Sequence, residues 1–376
     1  MFRPEPRHCP LYYCRDVIKL YYRRAFNFFW FSSLQYQIQS VEQNLDEYDR
    51  ISIFLASVMN CNKSFLRYAC VSLFTLYCSL MTTGCHSFLT RFIVKSLEQL
   101  PVSPDTITAK IEHPVFPQVG LSVLWVGHAT CLIQIGDKVF ITDPIFTNTA
   151  GMISKRRIEP GILPSSIDRL DYILISHIHF DHLSYGSLSL LPKTATMLLP
   201  PGGLEYTPEF GFSEYREMNA WTTFEANGVR ITAVPVRHFD GRYGFDVAWL
   251  DYHTYTGYVI EYRGKTVFFA GDTGYDPEMF REIGRKFTID IALIPIAPVE
   301  PHDFMMRVHT DPKEALQIFE DAGAKFMIPI HHRTFVQGLD STLMFAQGQL
   351  NQLISERHIE DRVMILGIGE QRIFVP

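Results

Sequence analysis

The sequence predicts an α/β fold, a four-layer αββα sandwich in which two sheets face each other and helices cover the outside. Three observations predict it. From about residue 119 onward the chain breaks into short β-like apolar runs joined by turn signals. Toward the C-terminus, helical stretches alternate with these runs. Strands gathered in each half, with helices between them, give each sheet one face to pack against the other and one to cover.

The elements follow in order. Residues 121–126 form a first run, and 130–135 and 138–142 flank Gly136-Asp137, a hairpin signature. Residues 171–176 (DYILIS) are almost wholly apolar and suit a buried strand, and 196–199 form another. A strand at 228–234 follows the turn Asn227-Gly228, and 257–262 and 266–270 flank Arg263-Gly264. A helix at 277–285 leads to a strand at 289–296. Asp311 is a good N-cap with Pro312 at the first helical position, opening a helix to about Ala322 that leads to 326–330. A last helix, about 341–357, leads to strands at 363–366 and 371–375. No internal repeat is evident.

Composition bounds the function. The 376 residues are 47% hydrophobic and 20% charged, enough for one large domain or two ordinary ones with a sizeable core. The net charge of −6 carries no basic footprint and argues against nucleic acid as a partner. Six of the seven cysteines (Cys9, Cys14, Cys61, Cys70, Cys78, Cys85) precede residue 86, and Cys131 stands alone in the remainder. No CxxC or finger spacing occurs, which argues against a cysteine zinc site, and one cysteine cannot make a disulfide framework in the main body.

The N-terminal part is a different kind of sequence. Residues 1–58 mix aromatics with arginine without clean period and read as a leader, or as a segment for a membrane surface. In 59–85, Lys63 and Arg67 precede an apolar run at 69–81 and then Thr82-Thr83-Gly84-Cys85. Basic, apolar and small residues in that order describe a secretory signal, and the run is short for a membrane span. Gly84-Cys85 resembles a bacterial lipobox, although Thr82 stands where an aliphatic residue is usual. The expectation is a start at Met59 and an exported lipoprotein anchored at Cys85; the alternative is a buried or interfacial helix in a cytoplasmic protein. Residues 86–118, punctuated by Pro101, Pro104, Pro114 and Pro117, read as a lead-in.

Chemistry concentrates in SHIHFDHLS, where His177, His179, Asp181 and His182 close an apolar strand. His177 and His179 have period-2 spacing and share one side, while Asp181 and His182 lie in the following turn and can face a second metal. Imidazole with carboxylate suits zinc, and also manganese or iron. More ligands are needed, and three later apolar runs end in one: His238 after ITAVPVR, Asp272 after VFFAG and His331 after FMIPI. Asp143, in ITDP, suits a carboxylate that orients a ligand histidine. His128, in WVGHAT, is expected beside the ligands or on the substrate side.

HxHxDH followed by His, Asp and His at successive strand ends resembles the metallo-β-lactamase superfamily over about residues 119–376. The resemblance implies that His177, His179 and His238 hold one metal, that Asp181, His182 and His331 hold the other, and that Asp272 bridges both. His332 is the competing candidate for His331; strand alternation lets only one point inward, and Thr334-Phe335 favours His331 by family register. Within the superfamily the chain is most similar to the branch of N-acyl-phosphatidylethanolamine-hydrolysing phospholipase D, through WVGHAT (125–130), TDPIF (142–146), SHIHFDHL (176–183), PVRH (235–238), AGDTGY (270–275), EPHDFM (300–305), HTDP (309–312) and IHHRTF (330–335). One departure is His332-Arg333, where the branch has Trp-Gly; Arg333 so near the metals can bind an anionic substrate group. The branch implies two divalent metal ions, most simply zinc, and a phosphodiesterase that acts on phospholipid at a membrane surface. It also implies Asp272 as the catalytic carboxylate, His309 as a hydrogen-bond donor to substrate or leaving group, and Phe180, Tyr185, Phe304, Met305 and Met306 as an apolar rim for acyl chains. The rival readings are a metal-dependent lactonase of small carboxylic esters and a non-catalytic, membrane-attached binding protein of the same fold.

Overall fold

A computed structural model describes residues 88–151, 154–244 and 246–374. The chain divides into two units, Met1–Cys85 and His86–Pro376, and all described residues belong to the second. The leader, the signal-like segment and Cys85 lie outside the described residues. No described helix is long and apolar enough to cross a membrane.

Two sheets form the body. The first has seven strands: β1 (Leu121–Gly127), β2 (Thr130–Ile135), β3 (Lys138–Thr142), β6 (Tyr172–Leu174), β7 (Thr196–Leu199), β8 (Glu214–Glu217) and β15 (Gln371–Phe374), in the order β15-β1-β2-β3-β6-β7-β8. The second has six: β9 (Thr223–Ala226), β10 (Val229–Val234), β11 (Gly257–Tyr262), β12 (Lys265–Phe269), β13 (Ile291–Pro295) and β14 (Phe326–Ile330), in the order β14-β13-β12-β11-β10-β9. A short pair, β4 (Thr149–Ala150) and β5 (Ser154–Lys155), stands apart. Strand β3 pairs in parallel with β6, and β12 with β13 and β13 with β14. Asp143, Asp272 and His331 therefore emerge just beyond the C-terminal ends of parallel strands, and their loops open on one edge of the sandwich.

Three apolar layers hold the sheets. Side chains alternate along each strand: Val267 and Phe269 of β12 face Trp125, Phe140 and Leu174 of the first sheet between the sheets, whereas Phe268 points outward. Outside the second sheet, Phe268 and Ile294 pack under α3 (Pro277–Lys286), α5 (Pro312–Asp321) and α6 (Phe345–Arg357) through Phe280, Phe319 and Leu350. Asp311 caps α5 in a full capping box with Glu314. Outside the first sheet the cover is thinner: the single-turn α2 (Tyr185–Leu188) with Ile162, Ile167 and Leu170 from loops. The layering is the αββα sandwich read from the sequence.

Local expectations differ in three places. The lead-in 86–118 carries a helix, α1 (Phe88–Gln99). Its apolar residues recur with a helical period, but Ile93, Val94 and Leu97 face out and Ser96 is fully buried, so the period does not mark the packed face. Residues 363–366 make no strand; Val363 forms only an isolated bridge to Met327. The polar edge strands β8 (EYRE) and β9 (TFEA) have no apolar alternation to announce them, because an edge strand needs little burial.

Candidate metal centre

The ligand-type residues converge on one site. His177, His179 and His238 can offer atoms to a common ion, as can His128, Asp181, His182 and His331. Asp272 joins the two sets: its Oδ2 lies 3.3 Å from His182 Nε2, 3.0 Å from His331 Nε2 and 4.0 Å from His177 Nε2.

Backbone strain helps to aim these groups. His128, Asp143 and His331 take left-handed φ values of 56°, 33° and 61°, a conformation that costs a non-glycine residue of order 1–3 kcal/mol and persists only where its surroundings impose it. At His331 this turn, not strand alternation, decides which histidine faces the site. His331 Nδ1 donates to the Ala297 carbonyl at 2.8 Å, which points Nε2 at Asp272. His332 is buried elsewhere, stacked on Trp125 with ring centroids 4.5 Å apart.

The ring nitrogens away from the centre are fixed. His182 Nδ1 donates to Asp143 Oδ2 at 2.6 Å, and His238 Nδ1 donates to the Val308 carbonyl at 2.8 Å. His177 Nδ1 donates to Ser176 Oγ at 2.9 Å, and that hydroxyl donates to Asp143 Oδ2 at 2.5 Å. Each bond leaves the opposite Nε2 with a lone pair for a cation. His128 is a partner of the ligand-type residues: it donates through Nε2 to Asp181 Oδ2 at 3.0 Å, and its carbonyl accepts from the His331 amide.

The donor set fits divalent cations. His177 Nε2 and Asp272 Oδ1 are buried without hydrogen-bond partners, which is costly unless an ion meets them. His182 and His331 bring their Nε2 atoms to 3.2 Å, and His179 Nδ1 lies 3.2 Å from His238 Nε2. Ring nitrogens brought that close converge on one point, an arrangement that suits a shared cation between them. Burial pushes His128 and His179 down to about 3 and His177 well below the imidazole range. Burial also opposes charge on His182 and His331, but Asp272 and then Asp181 outweigh it, raising His182 well above its ordinary value and His331 to about 9. Burial alone would raise Asp181 and Asp272, yet His182 beside them draws both well below the carboxylate range.

The remaining expected residues divide. His309, 11% exposed, places Nδ1 3.6 Å from Asp272 Oδ2. Phe180 and Phe304 are exposed, at 37% and 49%, and so is Met306. Tyr185 is half-buried and donates its hydroxyl to the Tyr206 carbonyl. Met305 is buried and cannot belong to an exposed rim; the turn of α4 (His302–Met305) sends it inward. Arg333 donates to Gln347 and lines, with His332, a cavity whose walls include none of the expected metal ligands.

Several residues of the site escaped the sequence reading. Arg242, 6% exposed, lies over the rings of Phe180 and Tyr185, 4.3 and 4.4 Å from their centroids, and donates to the Ile178 carbonyl. It thus ties down the turn that carries His177 to His182. The Phe239 ring lies tilted with its centroid 4.5 Å from that of His179, and Gln337 Nε2 lies 3.1 Å from His331 Nε2. Arg242 and Phe239 lie in the HFDGR stretch directly after His238, a position that is the only available signal.

Comparison with known proteins bears on family and fold. Residues 138–332 match the family described as beta-lactamase superfamily domain. The chain is similar to N-acyl-phosphatidylethanolamine-hydrolyzing phospholipase D 1 of Caenorhabditis elegans, 29% identical over 276 residues that cover 69% of this chain and 75% of that one. It is similar to a UPF0173 metal-dependent hydrolase of Methanoregula boonei, 29% identical over 259 residues, 68% of this chain and 99% of the other. Among solved structures, "a possible metal-dependent hydrolase" from Veillonella parvula superposes with a TM-score of 0.55 at 15% identity, covering 68% of this chain and all (100%) of that one; this likeness shows the fold.

Proposed function

The chain belongs to the metallo-β-lactamase superfamily, and from that premise we propose that it is a dinuclear-metal phosphodiesterase of phospholipase D type, acting on N-acyl-phosphatidylethanolamine or a related phospholipid. That it is a metal-dependent hydrolase follows from the family and from the His/Asp cluster. The finer reading is carried by one observation: the ordered motif set from WVGHAT to IHHRTF, in a chain 29% identical to a protein of that named activity.

His177, His179 and His238 would hold one ion, and Asp181, His182 and His331 the other, with Asp272 between them. Two divalent cations, most simply zinc, would supply Lewis acidity there, lowering the pKa of water and neutralising charge on phosphoryl oxygens. The protein's own groups do the rest. Asp143 and Ser176 hold His182 and His177 in one tautomer. His309 is kept neutral by burial, which outweighs Asp272 beside it, so it serves as a hydrogen-bond donor to the substrate and not as a resident acid. Phe180, Phe239 and Phe304, exposed at 37–49%, form a rim on which acyl chains can lie, in keeping with action at a membrane surface. In the reaction a water oxygen bonds to phosphorus, the bond from phosphorus to the ethanolamine oxygen breaks, and that oxygen takes a proton. The products are phosphatidic acid and an N-acylethanolamine.

The test is product analysis on the metal-loaded full chain given N-acyl-phosphatidylethanolamine, simple phosphodiesters and lactones in parallel. Phosphatidic acid released by the wild type and lost in Asp272→Asn supports the proposal. Lactone opening without phosphodiester cleavage would overturn it in favour of the lactonase reading.

A further inference from the structure

A cavity of about 120 Å³ lies beside the metal centre, lined by residues of α1, Arg157 and the segment after β14. It contains none of the residues assigned to the metals, but two of its walls touch the centre: the Ala297 carbonyl accepts from His331 Nδ1, and Gln337 Nε2 lies 3.1 Å from His331 Nε2. Three cationic side chains, Lys95, Arg157 and Arg333, line it against one carboxylate, Asp340. That carboxylate is already engaged, since its Oδ1 accepts from the Val299 and Glu300 amides.

The cavity's polar lining is satisfied only in part: Lys95 donates to the Asp340 carbonyl, Arg157 to Gln99 and Arg333 to Gln347 at 3.5 Å, but other polar atoms are left over. His332 is 1% exposed, and neither ring nitrogen has a hydrogen-bond partner of ordinary geometry, although the Pro329 carbonyl is nearby. The Nε atoms of Arg157 and Arg333 are likewise buried and unpartnered. Buried donors left unmade cost about 1–3 kcal/mol each, so a cluster of them around one space points to a group that fills it. The backbone adds to the case. Arg333 takes φ 61°, where glycine sits without strain and an arginine does not. An unfavourable conformation thus occurs at a residue that lines the cavity.

We propose that this cavity is a binding site for one small oxyanion, a phosphate or carboxylate group, held by Lys95, Arg157, His332 and Arg333 next to the metal centre. The space admits several waters or one tetrahedral anion. Paired guanidinium groups are suited to bidentate contact with such oxygens. Through Ala297 and Gln337 the occupied site abuts His331. The proposal stands apart from the phosphodiesterase reading, because the cavity needs no metal to bind.

The test uses the metal-stripped full chain, so that an anion cannot bind at the metals. Inorganic phosphate and a short-chain phosphatidic acid are titrated by calorimetry into the wild type and Arg333→Gly. Glycine accepts φ 61°, so the variant keeps its fold. Saturable binding by the wild type, weakened at least about tenfold in Arg333→Gly, is expected from the loss of a charge-assisted hydrogen bond. Tighter binding of inorganic phosphate would assign the site to a free anion; tighter binding of the lipid phosphate would assign it to a headgroup. No saturable binding of either, or equal binding by Arg333→Gly, would overturn the proposal. Both results are independent of whether the loaded enzyme cleaves a phosphodiester.

Discussion

Asp143 Oδ2 accepts from His182 Nδ1 at 2.6 Å and from Ser176 Oγ at 2.5 Å, and through Ser176 it also fixes His177. One buried carboxylate thus orients a histidine of each proposed metal set. Asp143→Asn should lower apparent metal affinity about 10–100-fold, the usual cost of losing an outer partner of a ligand. Activity should return with excess metal. Metal content after dialysis, alongside turnover against added metal, checks it; unchanged retention would show that Asp143 does not position the histidines.

Gly271 guards the same relay. A Cβ there would lie 2.4 Å from Ser176 Cβ and 2.8 Å from its Oγ, and the residue has φ 62°. Gly271→Ala must therefore displace Ser176 as well as strain the backbone. A loss of about 1–3 kcal/mol is expected, measured by denaturant unfolding, together with weaker metal retention. A stable variant with full metal content would refute the coupling.

Arg242→Met should remove the donor to the Ile178 carbonyl and leave a buried acceptor unmet, costing about 1–3 kcal/mol. Because that carbonyl lies in the turn carrying His177 to His182, kcat should fall as well as Tm. Arg242→Lys should recover part of the stability. Unaltered Tm and kcat in the Met variant would show that the turn holds itself.

Metal uptake should be proton-linked. His331 is raised to about 9 and His182 well above its ordinary value in the metal-free protein, burial being outweighed by Asp272 and Asp181. Both are then protonated at pH 7 and must lose the proton to bind. Affinity should rise with pH until about 9, with proton release visible as a buffer-dependent calorimetric heat. Stability follows the same linkage. A histidine raised on folding stabilises fully below its unfolded value near 6.5, and that stabilisation is lost as pH rises through about 9. The metal-stripped chain should lose thermal stability between about pH 6.5 and 9 and the loaded chain should not; the same trend in both would exclude this linkage.

Much was legible in the chain because burial writes a local pattern. The runs at 130–135 and 138–142 around Gly136-Asp137 form β2 and β3 with no shift at either inner end, since a half-buried hairpin needs alternation and a turn residue close together. Pro312 after Asp311 marks α5 for a similarly local reason. The helix α1 has a helical apolar period, but part of it, at Ile93, Val94 and Leu97, is exposed. Its inward side holds Ser96, and Lys95 and Gln99 line a cavity shared with Arg333, more than two hundred positions away.

The sequence by itself determined the sandwich, the motif at His177–His182 and the strand ends that bear His238, Asp272 and His331, because ligand type and strand period are properties of neighbours in the chain. Only the tertiary structure decided which of His331 and His332 faces Asp272, that Met305 is buried, that Arg242 clamps the ligand turn, and that Arg333 faces a cavity with Lys95 and Arg157. Each of these depends on a left-handed residue or on partners distant in sequence. Such contacts come from how the layers close, and no run of adjacent residues encodes them.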